Sequence, residues 1–277
     1  RTMDLQLKDK LVIVTGSTGD GIGKNIAEQL WVHGAYVIIN GRSQGSVDKT
    51  MEGLKKDHSD LDASKLIGIP GDVSSKEGTN AFLAAICATE TKLNTKVYGL
   101  VNNVGIFEAK DWLEFDDEKW VEYYQTNTMS GVRLSRHFLP LFLKANQGRI
   151  LFISSECGVR PLPHMMPYSV SKCSQISLSR GLAEMTKGSK VTVNTILPGP
   201  TMTGGVRKYM EEFAKLKGIA SFDEAVATYF KNDEPTSLLQ RFLEPKEIAD
   251  VSVFLLSPLG SGVNGHAQHV DGGLVRH

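Results

Sequence analysis

The chain has 277 residues, 41% of them hydrophobic and 22% charged, enough for one large α/β domain or two small ones in an ordinary soluble protein. Lys plus Arg and Asp plus Glu both number 31, so a formal charge of zero gives no global electrostatic reason to expect a nucleic-acid or anionic-membrane partner. No apolar run approaches a bilayer span and the start, RTMDLQLKDK, lacks the apolar core of a signal peptide, which reads as a cytoplasmic protein; Arg1 and Thr2, ahead of a methionine, read as an expression remnant.

The first predicted strand is LVIVT, from Leu11, an aliphatic and β-branched run that suits a buried position. The glycine-rich stretch TGSTGDGIG follows, and then a helix with Ile26, Ala27, Leu30 and Trp31 at helical spacing and Gly34 as its stop. Strand, glycine turn and helix begin a dinucleotide-binding fold, because glycines let the backbone approach a pyrophosphate at the helix N-terminus. The candidate contacts there are Gly16, Ser17, Gly21, Ile22 and Gly23. The spacing is irregular: G-x-G-x-x-G would need its third glycine at Lys24, and G-x-x-x-G-x-G would need its second one residue before Gly21. With GIG still opening the helix, the loop reads as functional if it bulges outward. Asp20, a carboxylate beside a phosphate site, reads as turned to solvent or capping the helix.

Strand-like and helix-like segments then alternate: YVIIN (Tyr36 to Asn40), a helix around Ser46 to His58, LIGIP (Leu66 to Pro70), a helix from about Ser75, and VYGLVNN (Val97 to Asn103). Next come one long helix from about Asp117 to Ala145, RILFIS (Arg149 to Ser154), a helix around Pro167 to Thr186, VTVNTIL (Val191 to Leu197), a helix from Pro245 to Leu256, and AQHVD (Ala267 to Asp271). This rhythm predicts a single-domain, Rossmann-like α/β fold over 1–277, a doubly wound parallel sheet of about seven strands with helices on both faces. The stretch Gly204 to Gln240 is too long for an ordinary loop and reads as a helical substrate lid.

The chemistry lies in YSVSK, Tyr168 to Lys172, where helical spacing puts a phenol and an ammonium on one face. A free tyrosine has a pKa of ~10, and a fixed cation beside it favours the phenolate, which suits a general acid and base. Alone, the pattern is also that of an ordinary surface pair. Its setting adds weight: Ser155 directly follows RILFIS, thirteen residues earlier, NNVG (Asn102 to Gly105) ends another strand, GDV (Gly71 to Val73) follows a third, Asn127 lies in the long helix, and PGPTMT (Pro198 to Thr203) follows a sixth.

With these motifs in order along nearly the whole chain, the sequence resembles the short-chain dehydrogenase/reductase family, and most nearly its 3-oxoacyl-acyl-carrier-protein reductase-like members. The resemblance implies that Tyr168 protonates a carbonyl oxygen as hydride arrives, that Lys172 lowers the tyrosine pKa and holds the nicotinamide ribose, and that Ser155 hydrogen-bonds the carbonyl. It further implies that Asn127 anchors a proton-relay water, that Asp72 and Val73 meet the adenine, and that Asn102, Asn103, Val104 and Gly105 border its ribose. Pro198 and Thr203 would lie beside the nicotinamide and phosphates. The sequence departs from the family pattern at Val104, where alanine is usual, and in the one additional loop residue, Gly19 or Asp20. A homotetramer or homodimer is also implied.

The choice between NADP and NAD falls at YVIINGRS. NAD-dependent relatives carry an acid where this chain has Gly41, and the adjacent Arg42, helped by Ser43, can grip a 2′-phosphate; NADP is therefore expected, with NAD as the alternative. Three cysteines without a Cys-x-x-Cys pair and seven histidines without a ligand pattern point to no metal or disulfide. Glu156 reads as substrate-facing or as a solvated or backbone-bonded carboxylate, and Met165, Met166, Met202, Met210, Tyr209 and Phe213 as a pocket wall or core packing. The expected function is hydride transfer between a nicotinamide dinucleotide and a small carbonyl or secondary-alcohol substrate. The rival is a dinucleotide-binding regulator or scaffold without turnover, against which the complete set of Asn127, Ser155, Tyr168 and Lys172 argues.

Overall fold

Short segments, buried at every position in four of the seven cases, define the strands of the computed structural model, which describes residues 3–276; Arg1 and Thr2 lie outside the described residues. The strands are β1 (Leu11–Val14), β2 (Tyr36–Ile39), β3 (Leu66–Gly68), β4 (Val97–Asn102), β5 (Gly148–Ile153), β6 (Val191–Pro198) and β7 (Ala267–Val270). They pair in parallel in the order β3-β2-β1-β4-β5-β6-β7. Parallel pairing requires a crossover after each strand, and helices on both faces explain why strand side chains are apolar without alternation.

On one face α1 (Ile22–Val32) and α9 (Pro245–Leu256) pack Ile26, Leu30, Trp31, Val253 and Leu256 against Val12 and Val14. On the other, α3 (Lys76–Leu93) and α5 (Ser130–Ala145) pack Phe82, Phe138 and Phe142 against Ile13, Leu100 and Ile150. The expected doubly wound, seven-stranded, Rossmann-like sheet is the observed one. Between β1 and β4 the strand order reverses, and their following loops diverge to opposite faces, which opens a crevice at the carboxyl edge.

Helix starts follow local chemistry. Ser43 caps α2 (Gln44–Asp57) by accepting from Ser46 N, Ser75 caps α3 by accepting from Gly78 N, and Pro245 opens α9 at a position where its missing N–H costs nothing. One expectation needs correction. The long helix is interrupted: α4 (Asp117–Tyr123) passes into a π-helical turn, Tyr124–Met129, before α5 begins. That turn contains no Gly or Pro, and its cause is tertiary, as the contacts of Asn127 below make plain. After α6 (Met166–Glu184) and β6, the stretch from Gly204 holds α7 (Gly204–Lys217) and α8 (Phe222–Asn232), which close on a separate small cluster of Met210, Ala225, Phe230 and Phe242.

Candidate active site

The loop after β1 is held by side chains of the neighbouring strands. Asn40, at the end of β2, accepts from Gly16 N and donates to Ile69 O and Gly71 O, while Asn103 donates through Nδ2 to Thr15 O and Gly16 O, each at 3.0 Å. Gly16 sits at φ +59 and Gly19 at φ +82, conformations that glycine adopts without steric cost. A Cβ on Gly19 would meet nothing within 4 Å, so the lengthened loop bulges outward there. Asp20 is turned to solvent, its side chain 85% exposed and 3.5 Å from Lys24 Nζ, and it caps nothing. Gly21, the N-cap of α1, has no side chain to cap it and no side-chain cap is present among the described residues, so the amides of the first turn remain available at the cleft, the arrangement that holds a phosphate.

These elements surround one cleft of about 870 Å³. Gly16, Gly21, Ile22 and Gly23 line its floor, and Arg42, Asp72 and Val73 line one end. Val104, Gly105, Pro198 and Thr203 line the middle, and Ser155, Tyr168 and Lys172 the far end. Two expected contacts turn away. The Ser17 hydroxyl donates to Val14 O and accepts from Asn40 N, and Asn102 Nδ2 donates to Ser135 Oγ; both are buried and neither lines the cleft. Asn103, also placed at the ribose by the resemblance, does line it, and Thr18 and Asn40 join it. A Cβ at Gly41 would lie 2.6 Å from Thr18 Cγ2 and 2.9 Å from Ser46 Oγ, so Thr18 fills the space an acid at that position would need. Ser43 spends its hydroxyl on the α2 cap rather than on the cleft.

At the far end the expected residues meet, with one added partner. Asn127 lies in the π-helical turn behind the cleft wall, its Oδ1 accepting from Ile106 N at 2.8 Å and its Nδ2 donating to Ile106 O and Ser171 Oγ. Its main-chain oxygen accepts from Gln175 Nε2 at 2.5 Å. Lys172 Nζ donates to Ile153 O at 2.8 Å and to Gln175 Oε1 at 3.3 Å, and stands 5.5 Å from the centre of the Tyr168 ring. Burial pulls the Lys172 ammonium down to about 7. The phenol of Tyr168 moves opposite to expectation: burial, with Cys157 and Glu156 adding repulsion, pushes it above its ordinary value, and a hydrogen bond with Ser155 offsets this only in part. Desolvation of a phenolate here outweighs a cation whose own bonds face Ile153 and Gln175.

Beside Ser155, Glu156 is neither solvated nor bonded to backbone. Its Oε1 accepts from Cys157 Sγ at 3.2 Å, its Oε2 lies 3.5 Å from Arg160 Nε, and Arg160 Nη2 donates to both oxygens of the buried Glu234 at 2.7 and 2.8 Å. One guanidinium thus ties the Ser155 turn to the segment after α8. Met165 and Tyr209 also line this end, whereas Met210 is core of the α7 and α8 cluster and Met202 and Phe213 pack against it.

The sequence profile of a family described as Enoyl-(Acyl carrier protein) reductase matches residues 16–275. The chain is also 49% identical to "Uncharacterized oxidoreductase YvrD" of Bacillus subtilis (strain 168), with 99% of each chain covered. The chain belongs to the short-chain dehydrogenase/reductase family. This short-chain dehydrogenase/reductase is 30% identical to the 3-oxoacyl-[acyl-carrier-protein] reductase FabG of Aquifex aeolicus, over 98% of its own length and all of the relative's. The crystal structure of L-sorbose reductase from Gluconobacter frateurii, complexed with NADPH and L-sorbose, matches it with a TM-score of 0.89 at 28% identity, covering 99% of this chain and 100% of that one. It is an NAD(P)-dependent oxidoreductase that transfers hydride between a nicotinamide dinucleotide and a carbonyl or secondary alcohol.

Glu156 makes the stability of this short-chain dehydrogenase/reductase depend on pH. Burial raises its carboxyl from 4.5 to about 7, with Arg160 opposing the shift. Between those values the folded protein binds more protons at this site than the unfolded chain, so stability falls as pH rises through the window. Thermal unfolding of wild type compared with Glu156→Gln should reveal a decrement of roughly 3 kcal/mol present only in wild type. Parallel curves for the two proteins would contradict it.

Proposed function

We propose that this enzyme reduces a small carbonyl compound with NADPH, using Tyr168 as the proton donor. The observation that carries the reading is continuity: one cleft joins the glycine loop and Arg42 to Ser155, Tyr168 and Lys172. The residues fit a dinucleotide: an uncapped α1, a glycine floor and, at Gly21, open space out to Thr203 Cγ2, 4.0 Å from a hypothetical Cβ. Bound there, the nicotinamide supplies the hydride. Gly16, Gly21, Ile22 and Gly23 would hold its pyrophosphate, Asp72 and Val73 its adenine, and Val104, Gly105, Pro198 and Thr203 the ribose and nicotinamide portions.

The protein's own part is protonic and electrostatic. Ser155 holds the substrate carbonyl oxygen by a hydrogen bond, and Tyr168 gives that oxygen a proton as it gains charge. A phenol with a raised pKa stays protonated near neutrality, which is the form a donor needs. Lys172 stabilises the phenolate left behind, and Asn127 fixes the wall against which both stand. Tyr168→Phe should lower turnover by ~10² to 10⁴ with NADPH affinity nearly intact, measured on a panel comprising a ketose, a 3-oxoacyl thioester and aliphatic aldehydes. Near-normal turnover would remove Tyr168 from this role.

The preference for NADPH rests on Arg42 in the cleft lining and on Thr18 filling the place of an acid at Gly41. The L-sorbose reductase was solved with NADPH, which agrees. Arg42→Ala should impair NADPH selectively by ~1 to 3 kcal/mol in kcat/KM, the loss typical of a charge-assisted contact. Equal losses with NADPH and NADH would speak against a 2′-phosphate contact.

The segment Gly204–Gln240 is proposed as a lid. Tyr209 and Tyr229 face the cleft from α7 and α8, while the two helices pack mainly on their own cluster. Amide exchange in α7 and α8 should slow when NADPH and substrate are both bound. Protection independent of ligand would make the segment a fixed element. A homo-oligomer, dimer or tetramer, is supported by apolar side chains left exposed near Asn127 and Tyr168, among them Val121, Tyr124 and Val170. Three free cysteines suit a reducing cytoplasm.

A further inference from the structure

Gln175 lies three residues beyond Lys172 on α6 and is 1% exposed. A buried amide must satisfy both ends, and here each end finds the opposite chemistry: Nε2 donates to the main-chain oxygen of Asn127 at 2.5 Å, and Oε1 accepts from Lys172 Nζ at 3.3 Å. The orientation of the amide is therefore dictated, since a flipped group would set NH₂ against an ammonium and oxygen against a carbonyl. The Asn127 oxygen is open to an outside donor because the chain is π-helical there and its regular ladder is displaced. Opposite Gln175 the ammonium is met by Ile153 O, and above it by Gly105, whose absent Cβ would stand 3.3 Å from Nζ and 3.5 Å from Asn127 Oδ1.

Among the described residues no carboxylate acts on Lys172. The titratable groups that face it are Tyr168 on its own helix and Cys157 from the turn after β5; the π-helical turn brings the uncharged Asn127, and the loop after β4 brings Gly105. Neutral acceptors must then sustain a buried cation, and Gln175 is the side chain that does so.

We propose that Gln175 is a positioning residue for the reaction: its amide joins the Lys172 ammonium to the Asn127 carbonyl and sets where that charge stands relative to Tyr168. The inference rests on the roles given above to Tyr168 and Lys172. Removing the amide withdraws one of two acceptors from the ammonium and leaves the Asn127 oxygen without its donor. The consequence is a cation that is harder to keep charged and free to leave its place.

The test reads Lys172 directly. In protein labelled with ¹³Cε-lysine, the Lys172 signal is assigned by its loss in Lys172→Met and followed with pH. Gln175→Met, close in volume and without either hydrogen bond, should move the Lys172 midpoint down by about one unit. It should also lower kcat about tenfold on the panel compound that wild type turns over. Gln175→Glu keeps an oxygen beside Nζ and adds charge, so it should move the midpoint up, and it serves the same purpose if the methionine variant does not fold. A midpoint unchanged in these variants, or a change confined to the melting temperature, overturns the proposal. A shifted midpoint in a protein that oxidises NADPH with no member of the panel would instead count against the reductase reading.

Discussion

The site exists because two backbones pass closer than side chains permit. Where the loop after β1 meets the end of β4, a Cβ at Gly16 would stand 3.1 Å from Val104 Cγ2, and one at Gly23 would run into Asn103 Nδ2 and Gly16 O. Asn103 closes the contact by giving both amide hydrogens to carbonyls of the glycine loop, while Thr15 Oγ1 accepts from Asn103 N. The strand reversal of a doubly wound sheet creates a crevice at this point in any case. Here the glycine and asparagine contacts determine its depth, so that an uncapped helix end opens toward it. The valine at 104 packs against Gly16, where the absence of a side chain leaves room for it.

At the other end of the crevice the controlling term is desolvation. Burial draws Lys172 toward neutrality and holds Tyr168 protonated, so both groups are poised by the same dry surroundings rather than by each other's charge alone. A fixed set of neutral dipoles, Ile153 O and Gln175 Oε1, offsets part of that penalty. Such preorganised dipoles need no rearrangement when charge appears on the phenol, which is how a protein interior serves proton transfer better than water does.

Much of this is legible in the sequence alone. Continuous apolar runs separated by helical periodicity fix a parallel sheet, and caps such as Ser75 and Pro245 mark helix starts because they act within a turn of chain. The residues of the Tyr168 motif share a face through the helical repeat alone. The π-helical turn at Tyr124–Met129 was not legible, since its cause is the fit of Asn127 against Ile106 and Gln175, more than twenty residues away on either side. Asn102 and Asn103 look alike in sequence, yet alternation along a strand sends one toward α5 and the other into the cleft. Gln175 had a signal in its three-residue spacing from Lys172, but spacing without the facing carbonyl names no partner.

The lengthened first loop has a role beyond its own turn. Asp20 presents its side chain to solvent, but its carbonyl accepts from Gly204 N at 2.9 Å, at the first residue of α7. Loop length and the footing of α7 are thereby one feature. Grafting a standard-length glycine loop onto this scaffold would displace the carbonyl on which α7 stands, so the two segments have to be exchanged together. A chimera that swaps only the first would inherit a cofactor floor from one parent and a roof cut to fit the other.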